Sequence, residues 1–193
     1  TSLQSVGVTH CLGSPGSGKG TQASKLSDAF GYEHISIGDM LRKNVEEKSD
    51  LGLKASEFID SGRLVPDELI IEVVSSFFGD FVSNKEGRVI LDGFPRTEPQ
   101  AFALEKIIRE LRINLSSVLY LDVDDDEVIS RLSERGRKDD EPELVLNRLN
   151  VYRDQTEPLL KYYNDQGVLK EIDGNKSPDL VFSEISELIE VEA

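Results

Sequence analysis

A glycine-rich segment at residues 13–21 constrains the fold of this chain more than any other feature. It reads G-S-P-G-S-G-K-G-T, follows an apolar run typical of a β-strand (6–12) and opens a run typical of a helix (21–30). Glycines allow positive φ angles and a close approach of the backbone to a ligand. The amides of such a turn, the N-terminus of the next helix and Lys19 form a cradle for polyphosphate. The segment therefore predicts a strand–loop–helix unit that binds phosphate groups.

The spacing G-x-x-x-x-G-K fits the P-loop, with one departure. Gly20 occupies the position where Ser or Thr usually follows the lysine, so Thr21 is the available hydroxyl for a magnesium ion. The alternative is a flexible Gly/Ser turn without a ligand, but the flanking strand and helix and the lysine favour the P-loop. The residues expected at the phosphates are Gly16, Ser17, Gly18, Lys19, Gly20 and Thr21.

Length, charge and cysteine content limit the classes of protein that this chain can belong to. Its 193 residues suit a single domain (1–193), and its formal net charge of −15 argues against nucleic-acid binding through the bulk surface. No apolar run reaches the roughly 18 residues that a membrane span requires. The single cysteine, Cys11, excludes an internal disulfide and favours a reducing compartment. The sequence therefore predicts a cytoplasmic protein without nucleic-acid or membrane partners.

Short apolar runs that suit strands alternate with longer amphipathic segments that suit helices. The predicted strands are 6–12, 34–37, 88–91, 117–123 and 168–172. The predicted helices are 21–30, 38–48, 51–61, 67–77, 97–111, 125–135, 143–165 and 177–190. This alternation predicts an α/β fold with a parallel sheet covered by helices on both faces. Ligands of such sheets bind at the carboxyl ends of the strands, so other strand-end residues should converge on the glycine-rich loop.

Two segments interrupt the alternation. Residues 38–66 contain two helical stretches in succession, which indicates an inserted helical subdomain. Residues 131–143 are charged and contain a proline, which indicates a loop between two long helices.

An acidic turn ends the third predicted strand. The turn reads D-G-F-P-R and begins at Asp92. A carboxylate at a strand tip beside a P-loop commonly holds magnesium, directly or through water. Gly93 and Pro95 force a sharp turn that would direct Arg96 back across the strand ends. The alternative is a surface turn with a capping aspartate; the P-loop upstream favours the functional interpretation.

Taken in order, these motifs resemble the adenylate kinase family. The matching segments cover nearly the whole chain: 13–21, 36–42, 62–65, 92–100, 131–140, Arg148 and 156–158. The combination of D-G-F-P-R with G-S-G-K-G-T is very specific. The resemblance implies a P-loop NTPase-like fold with a five-stranded parallel sheet of order 2-3-1-4-5. It also implies a helical insertion that binds the nucleoside monophosphate (36–66) and a short lid loop (136–142).

The resemblance implies reversible transfer of the terminal phosphoryl group of ATP to AMP, with Mg²⁺ as cofactor, nucleotides as partners and a monomeric state. The implied catalytic residues are Lys19, Asp92, Arg96, Arg135, Arg137 and Arg148. Arg131 and Lys176 join the P-loop residues at ATP, while Thr21 and Asp92 serve Mg²⁺, partly through water. The residues implied around AMP are Ile37, Arg42, Val65, Gly93, Arg96, Gln100, Arg137 and Arg148.

Larger lids in this family sometimes carry a zinc ion held by cysteines. This chain has neither the length nor the cysteines for such a lid. The expectation is therefore a short lid and no structural metal.

One position departs from the adenylate kinase pattern. Ile37 stands where the family usually has threonine, whose hydroxyl helps to read the acceptor adenine, and isoleucine cannot form that hydrogen bond. The related UMP/CMP kinases carry alanine there, but they have asparagine at the position of Gln100. Gln100 favours AMP as the acceptor, and a UMP/CMP kinase with the same mechanism is the alternative.

Two further functional classes are weighed against this interpretation. A GTPase switch would need the guanine-reading motif and a catalytic glutamine, and neither is evident. Residues 175–179 come near that motif but have one residue too many, and they more closely fit a helix cap. A catalytically inactive nucleotide-binding module would lack Lys19, Asp92 or one of the arginines, and all are present.

The acidic run 122–127 and the two histidines are better explained by structural roles than by a metal or catalytic site. The acidic run 122–127 is typical of a strand end followed by an acid-rich first helical turn, rather than of a metal site. His10 and His34 lie in strand-like runs with no Cys or Asp at ligand spacing, so both are interpreted as structural.

Overall fold

The computed structural model describes residues 7–61, 65–84, 87–136 and 141–192. Within these ranges the strands are β1 (Gly7–Gly13), β2 (Glu33–Ser36), β3 (Arg88–Asp92), β4 (Asn114–Asp122) and β5 (Leu169–Asp173). They form one sheet in the order β2-β3-β1-β4-β5, and every neighbouring pair is parallel. The predicted P-loop NTPase-like fold with strand order 2-3-1-4-5 is confirmed.

Helices connect the strands and cover the sheet. They are α1 (Lys19–Phe30), α2 (Ile37–Glu46), α3 (Asp50–Asp60), α4 (Asp67–Asn84), α5 (Glu98–Glu110), α6 (Asp125–Arg135), α7 (Pro142–Val151), α8 (Pro158–Asp165) and α9 (Pro178–Glu192). Alternation along β3 shows how both faces of the sheet are buried. Val89 and Leu91 pack with α4 and α5, whereas Ile90 between them packs with α1 and α9. The prediction of helices on both faces is therefore confirmed.

The prediction of one continuous helix over 143–165 is wrong. The segment forms α7, a π-helical turn (Tyr152–Thr156) and α8. The N–H of Glu157 bonds to the carbonyl of Tyr152, five residues earlier, and Pro158 starts the next helix because it has no N–H to continue the ladder. The Thr156 hydroxyl donates to the carbonyl of Arg96 at 2.7 Å. A long-range contact thus fixes the turn, and the local sequence pattern does not reveal it.

Helix α4 extends beyond its predicted end at residue 77. Gly79 does not end the helix, because Phe78 and Phe81 continue its buried face. Phe77 adds edge and stacked ring contacts to these two side chains. The burial of aromatic rings outweighs the modest penalty for a glycine within a helix, about 1 kcal/mol.

Helices α2 and α3 follow one another between β2 and α4. The hydroxyl of Ser36 caps α2 by accepting from the N–H of Asp39, and that of Ser49 caps α3 by accepting from Gly52. The two helices touch so closely at Gly52 that an added Cβ would lie 2.0 Å from the carbonyl oxygen of Asn44. Two successive helices therefore exist where the sequence indicates an insertion; its role as an acceptor-binding segment stays a prediction.

His10 is a buried histidine on β1 and gives the protein an acid-sensitive element. It is 1% exposed, and its Nδ1 lies 3.4 Å from the carbonyl of Leu91. Burial lowers the pKa of His10 to about 4; the bond to Leu91 and the charge of Asp92 oppose this shift, and the charge of Lys19 adds to it. The imidazole is therefore neutral in the folded protein at neutral pH.

We expect that in His10→Leu the free energy of unfolding falls less steeply as the pH is lowered from 6.5 to 4. Between pH 6.5 and 4 the unfolded chain protonates this imidazole while the folded chain does not, so unfolding becomes easier as the pH falls. The shift corresponds to about 3 kcal/mol at its full extent. Urea unfolding of both proteins at several pH values measures the difference. Equal slopes in the two proteins would contradict this expectation.

Candidate active site

The glycine-rich loop joins β1 directly to α1. Gly16 and Gly18 adopt φ angles of 77° and 93°, in the left-handed region that glycine occupies without strain. Gly18 is the N-cap of α1, so the helix N-terminus lies at the loop. An added Cβ on Gly16 would lie 3.0 Å from Leu132 on α6. The backbone therefore has the conformation that the P-loop spacing predicts.

A single cleft of about 1010 Å³ brings most of the predicted donor-side and catalytic residues together. The end of β3 contributes Asp92 to its walls, and the turn after β3 contributes Arg96. The remaining predicted residues that line it are Gly16, Ser17, Gly18, Lys19, Gly20, Thr21, Arg131, Arg135, Arg148 and Lys176. These residues come from five separate parts of the chain, and the parallel sheet brings them to its carboxyl edge.

Lys19 folds back onto the loop that precedes it. Its Nζ donates to the carbonyl of Gly13 at 3.1 Å and lies 3.5 Å from that of Ser14. Burial lowers the pKa of Lys19; the charge of Asp92 opposes this shift, and the charges of Arg96 and Arg148 add to it. The charges that act on the ammonium group are thus those of one carboxylate and two arginines, and a bound anion would raise the pKa of Lys19.

Asp92 ends β3 beside the start of α1. Burial raises the pKa of its carboxyl, but the polar contact with His34 and the charges of Lys19, His34 and Arg96 together bring the pKa below its usual value. An added Cβ on Gly20 would lie 3.5 Å from Asp92 Oδ2, so the carboxylate faces the N-terminus of α1. Asp92 is therefore ionised at neutral pH and close to the helix that carries Thr21.

His34 is a neighbour of the site that the sequence reasoning did not identify. Its Nε2 lies 3.5 Å from Asp92 Oδ2, and this contact raises the pKa of His34. The strand order would have predicted this contact. Strand β2 lies beside β3 with Ser36 opposite Asp92, and His34 is two residues earlier on the same face.

Arg96 is held through its backbone and its side chain. Its Nε donates to the carbonyl of Gly93 at 2.8 Å, and its backbone N–H donates to Gln100 Oε1 at 2.8 Å. Its own carbonyl accepts the hydroxyl of Thr156. The sharp turn after β3 thus places the arginine at the cleft, as the sequence predicts.

Arg131 connects three parts of the cleft. Its Nη2 donates to the carbonyl of Gly174 at 2.7 Å, and its Nη1 lies 3.4 Å from the carbonyl of Ser17. Glu127, one turn earlier on α6, accepts from its Nε at 3.0 Å. The guanidinium therefore joins α6 to the P-loop and to the loop after β5.

The residues predicted around the acceptor are brought together only in part. Gln100 is 5% exposed, and Ile37 lies next to Gly93, since an added Cβ on that glycine would lie 3.7 Å from Ile37 Cγ2. Arg42 is exposed on α2, forms an ion pair with Asp39, and is not among the described residues that line the cleft. Val65 is half-buried just before α4.

Three predicted features fall wholly or partly outside the described residues. They are Arg137, most of the predicted lid (residues 137–140) and residues 62–64 of the predicted insertion. In the described part of the chain, no group of three or more His, Cys, Asp or Glu residues has a geometry that would hold a metal ion. No helix of that part is long and apolar enough to cross a membrane. The acidic residues 125–127 lie in the first turn of α6, in agreement with their structural interpretation.

A parallel sheet with a P-loop after its first strand, and with cationic side chains around one cleft, defines a P-loop protein that binds nucleotide phosphates. The sequence model of the family described as adenylate kinase matches residues 11–168. The adenylate kinase of Methanosarcina barkeri is 42% identical over 92% of this chain and 96% of its own length. That of Prochlorococcus marinus is 45% identical over 89% and 92%, and that of Bacteroides fragilis is 41% identical over 93% and 96%. This chain belongs to the adenylate kinase family.

Proposed function

We propose that this protein transfers the terminal phosphoryl group of ATP to AMP, reversibly, in the cleft between the P-loop and the arginines. As a member of the adenylate kinase family it is a phosphotransferase that uses ATP as a substrate. The observation that carries the proposal is a local one. Lys19 and four arginines (Arg96, Arg131, Arg135 and Arg148) line one cleft of a chain whose net charge is −15. Such a concentration of positive charge suits two facing polyanions.

The chemistry needs alignment and countercharge rather than a general base. The attacking oxygen of a nucleoside monophosphate is already anionic, so no proton has to be removed from it. The protein must place this oxygen in line with the donor phosphate and stabilise the charge on the transferred group. Arginine is suited to this work because its planar fork binds phosphate oxygens in pairs and stays charged. Lys19 acts as a mobile point charge on the transferred group.

The donor nucleotide is assigned to the P-loop side of the cleft. We place its phosphates on the amides of residues 16–21 and its base near Arg131 and Lys176. Arg131 supports this placement, because it already bridges the P-loop and the loop after β5. Arg135 and Arg148 are assigned to the transferred group, together with Arg137.

Magnesium fits the residues at the start of α1. The ionised carboxylate of Asp92 and the hydroxyl of Thr21 are oxygen ligands of the kind that Mg²⁺ prefers, and both line the cleft. When bound, the ion would neutralise charge on the donor phosphates. We assign Asp92 to a water-mediated contact and Thr21 to the direct one.

The acceptor side requires a movement of the helical insertion. Arg42 and Arg96 are assigned to the acceptor phosphate, with Ile37, Val65, Gly93 and Gln100 around the base. Arg42 on α2 is not among the described residues that line the cleft and forms an ion pair with Asp39. We propose that residues 36–66 and the short lid at 136–142 close over the bound nucleotides, which excludes water from the reaction.

Two finer assignments complete the proposal. We place the protein in the cytoplasm, because its single cysteine, Cys11, cannot form an internal disulfide and suits a reducing compartment. We also propose a monomer, because one chain supplies every residue that the mechanism assigns.

Initial rates with ATP–Mg²⁺ against AMP, CMP, UMP and GMP test the function. We expect the highest kcat/KM with AMP. Higher values with CMP or UMP would support the UMP/CMP kinase alternative, and the absence of transfer to every acceptor would refute the phosphotransferase assignment.

Replacing Ile37 by threonine is expected to improve the use of AMP. A hydroxyl at this position offers the acceptor base a hydrogen bond that isoleucine cannot form, and one such bond contributes about 1 kcal/mol. We therefore expect the KM for AMP to fall about threefold to tenfold, or the preference for AMP over CMP to rise by a similar factor. Ile37→Val is the matched control, because valine has the shape of threonine without the hydroxyl. Identical kinetics of the two variants would show that this position does not read the base.

A further inference from the structure

Gln100 carries a buried amide that is held from two sides. The residue is 5% exposed. Its Oε1 accepts the backbone N–H of Arg96 at 2.8 Å, and its Nε2 donates to Asp67 Oδ1 at 2.6 Å. Asp67 is the first residue of α4 and lies 33 positions earlier in the sequence. A long-range contact thus determines how this amide is presented.

The two partners allow only one orientation of the amide. An ionised carboxylate can only accept hydrogen bonds, and a backbone N–H can only donate one. A 180° flip of the amide would place Oε1 against the carboxylate of Asp67 and the NH₂ group against the N–H of Arg96. Both bonds would be lost and both new contacts would be repulsive. Asp67 and the Arg96 backbone therefore act together as an orientation lock.

Asp67 is itself fixed at the meeting point of two helix N-termini. The hydroxyl of Thr97 donates to Asp67 Oδ2 at 3.4 Å. Thr97 is also the N-cap of α5, and its oxygen accepts the N–H of Gln100 at 3.4 Å. The N-termini of α4 and α5 both favour a negative charge, so this is a suitable place for a carboxylate.

The locked amide keeps one N–H and one oxygen lone pair for a ligand, since an amide group has two of each. In that orientation it accepts from an exocyclic amine and donates to a bare ring nitrogen. Adenine presents this pair at its 6-amino group and N1, and cytosine at its 4-amino group and N3. A 6-oxopurine presents the opposite pair, a carbonyl oxygen and a protonated N1. A fixed amide therefore rejects the oxo base, whereas a freely flipping amide would accept both.

We infer that Asp67 is a positioning residue that fixes the Gln100 amide, so that the acceptor site takes a 6-aminopurine nucleotide and rejects a 6-oxopurine nucleotide. The inference rests on the proposed function, in which Gln100 reads the acceptor base. Asp67 acts through Gln100 and does not touch the nucleotide.

The test compares AMP with IMP, which differ only at purine position 6 and the adjacent N1 proton. The readout is the ratio of kcat/KM for AMP to that for IMP. We expect Asp67→Ala to lower this ratio about tenfold, because an amide that is free to flip can form its hydrogen-bond pair with either base. The change should appear in the KM values, while kcat with AMP stays within about threefold, since the phosphate-binding residues are unchanged.

Two control variants and one second test variant complete the comparison. Asp67→Asn keeps an oxygen that accepts from Gln100, so its ratio should stay within about threefold of wild type. Glu68→Ala removes the neighbouring exposed acid of the same first helical turn and should leave the ratio unchanged. Asp67→Glu keeps the charge at the helix N-terminus but displaces the carboxylate by one methylene. It should lower the ratio, and it provides the readout if the alanine variant does not fold.

The outcomes separate this inference from the proposed function. A wild-type protein that does not phosphorylate AMP refutes the proposed function. A second outcome overturns only the role of Asp67. In it the wild type prefers AMP and Gln100→Ala loses this preference, but a folded Asp67→Ala or Asp67→Glu variant keeps it. If Gln100→Ala keeps the preference, Gln100 does not read the acceptor base, and the inference about Asp67 is overturned as well. Loss of the preference in Asp67→Ala and Asp67→Glu, but not in Asp67→Asn or Glu68→Ala, supports the lock.

Discussion

Replacing Lys19 by methionine is expected to lower kcat with ATP–Mg²⁺ and AMP about a hundredfold to a thousandfold. Methionine keeps all but the last atom of the side-chain length and removes the charge that we assign to the transferred phosphoryl group. The expected loss lies mainly in kcat, because the charge is needed most where negative charge develops in the transition state. Initial rates under saturating nucleotides, together with thermal melting to confirm the fold, measure the effect.

Lys25→Met is the matched control for Lys19. Lys25 lies on the same helix, pairs with Asp179 at 3.2 Å and is not among the described residues that line the cleft. Its replacement should leave kcat within about twofold, since a solvent-exposed ion pair contributes at most about 1 kcal/mol and only to stability. A fall of less than about tenfold in Lys19→Met would contradict the role of this lysine at the phosphates.

Replacing Asp92 by asparagine is expected to lower kcat about a hundredfold at a fixed Mg²⁺ concentration and to weaken the dependence of the rate on Mg²⁺. Asparagine preserves the size of the side chain but removes the charge that organises the ion and its water. Mg²⁺ titrations of the initial rate measure both effects.

The same substitution has a second readout at His34. The carboxylate of Asp92 raises the pKa of His34, so the protonated pair stabilises the fold below the ordinary histidine value near 6.5, and this stabilisation is lost as the pH rises through the raised pKa. In Asp92→Asn the pKa of His34, followed by NMR, should therefore fall.

Asp122→Asn is the control for Asp92, because Asp122 also ends a strand that adjoins β1 but is exposed and accepts from the hydroxyl of Tyr120. Its activity and Mg²⁺ dependence should match wild type. If Asp92→Asn keeps full activity and an unchanged Mg²⁺ requirement, the role that we assign to this carboxylate is contradicted.

Features that depend on neighbouring residues in the chain could be predicted from the sequence. The P-loop is the clearest case, because glycines at fixed spacing, a strand before them and a helix after them specify one local conformation. The sharp turn at Asp92 is another, and the alternation of strands and helices was sufficient for the fold class. The strand order came from the family resemblance, since local patterns do not determine which strands become neighbours.

Features that depend on contacts between distant segments could not be predicted in this way. The contact of His34 with Asp92 needs the pairing of β2 with β3. The bond from Gln100 to Asp67 joins two helices that no local pattern connects. The π-helical turn interrupts a segment with continuous helical periodicity, and the Thr156 hydroxyl bond to Arg96 holds it in place. The roles of the individual site residues stay predictions until the variants above are measured.

Arg96 limits how this enzyme can be re-engineered. Its backbone N–H bonds to Gln100, its side chain bonds to the turn at Gly93, and its carbonyl accepts from Thr156 in the segment that follows α7. A library that replaces Gln100 to retarget the acceptor pocket is therefore expected to disturb turnover along with selectivity, because Gln100 also accepts the backbone N–H of Arg96, which we assign to the acceptor phosphate. Evolution under selection for a new acceptor would meet the same linkage and would require compensating changes at several of these contacts together.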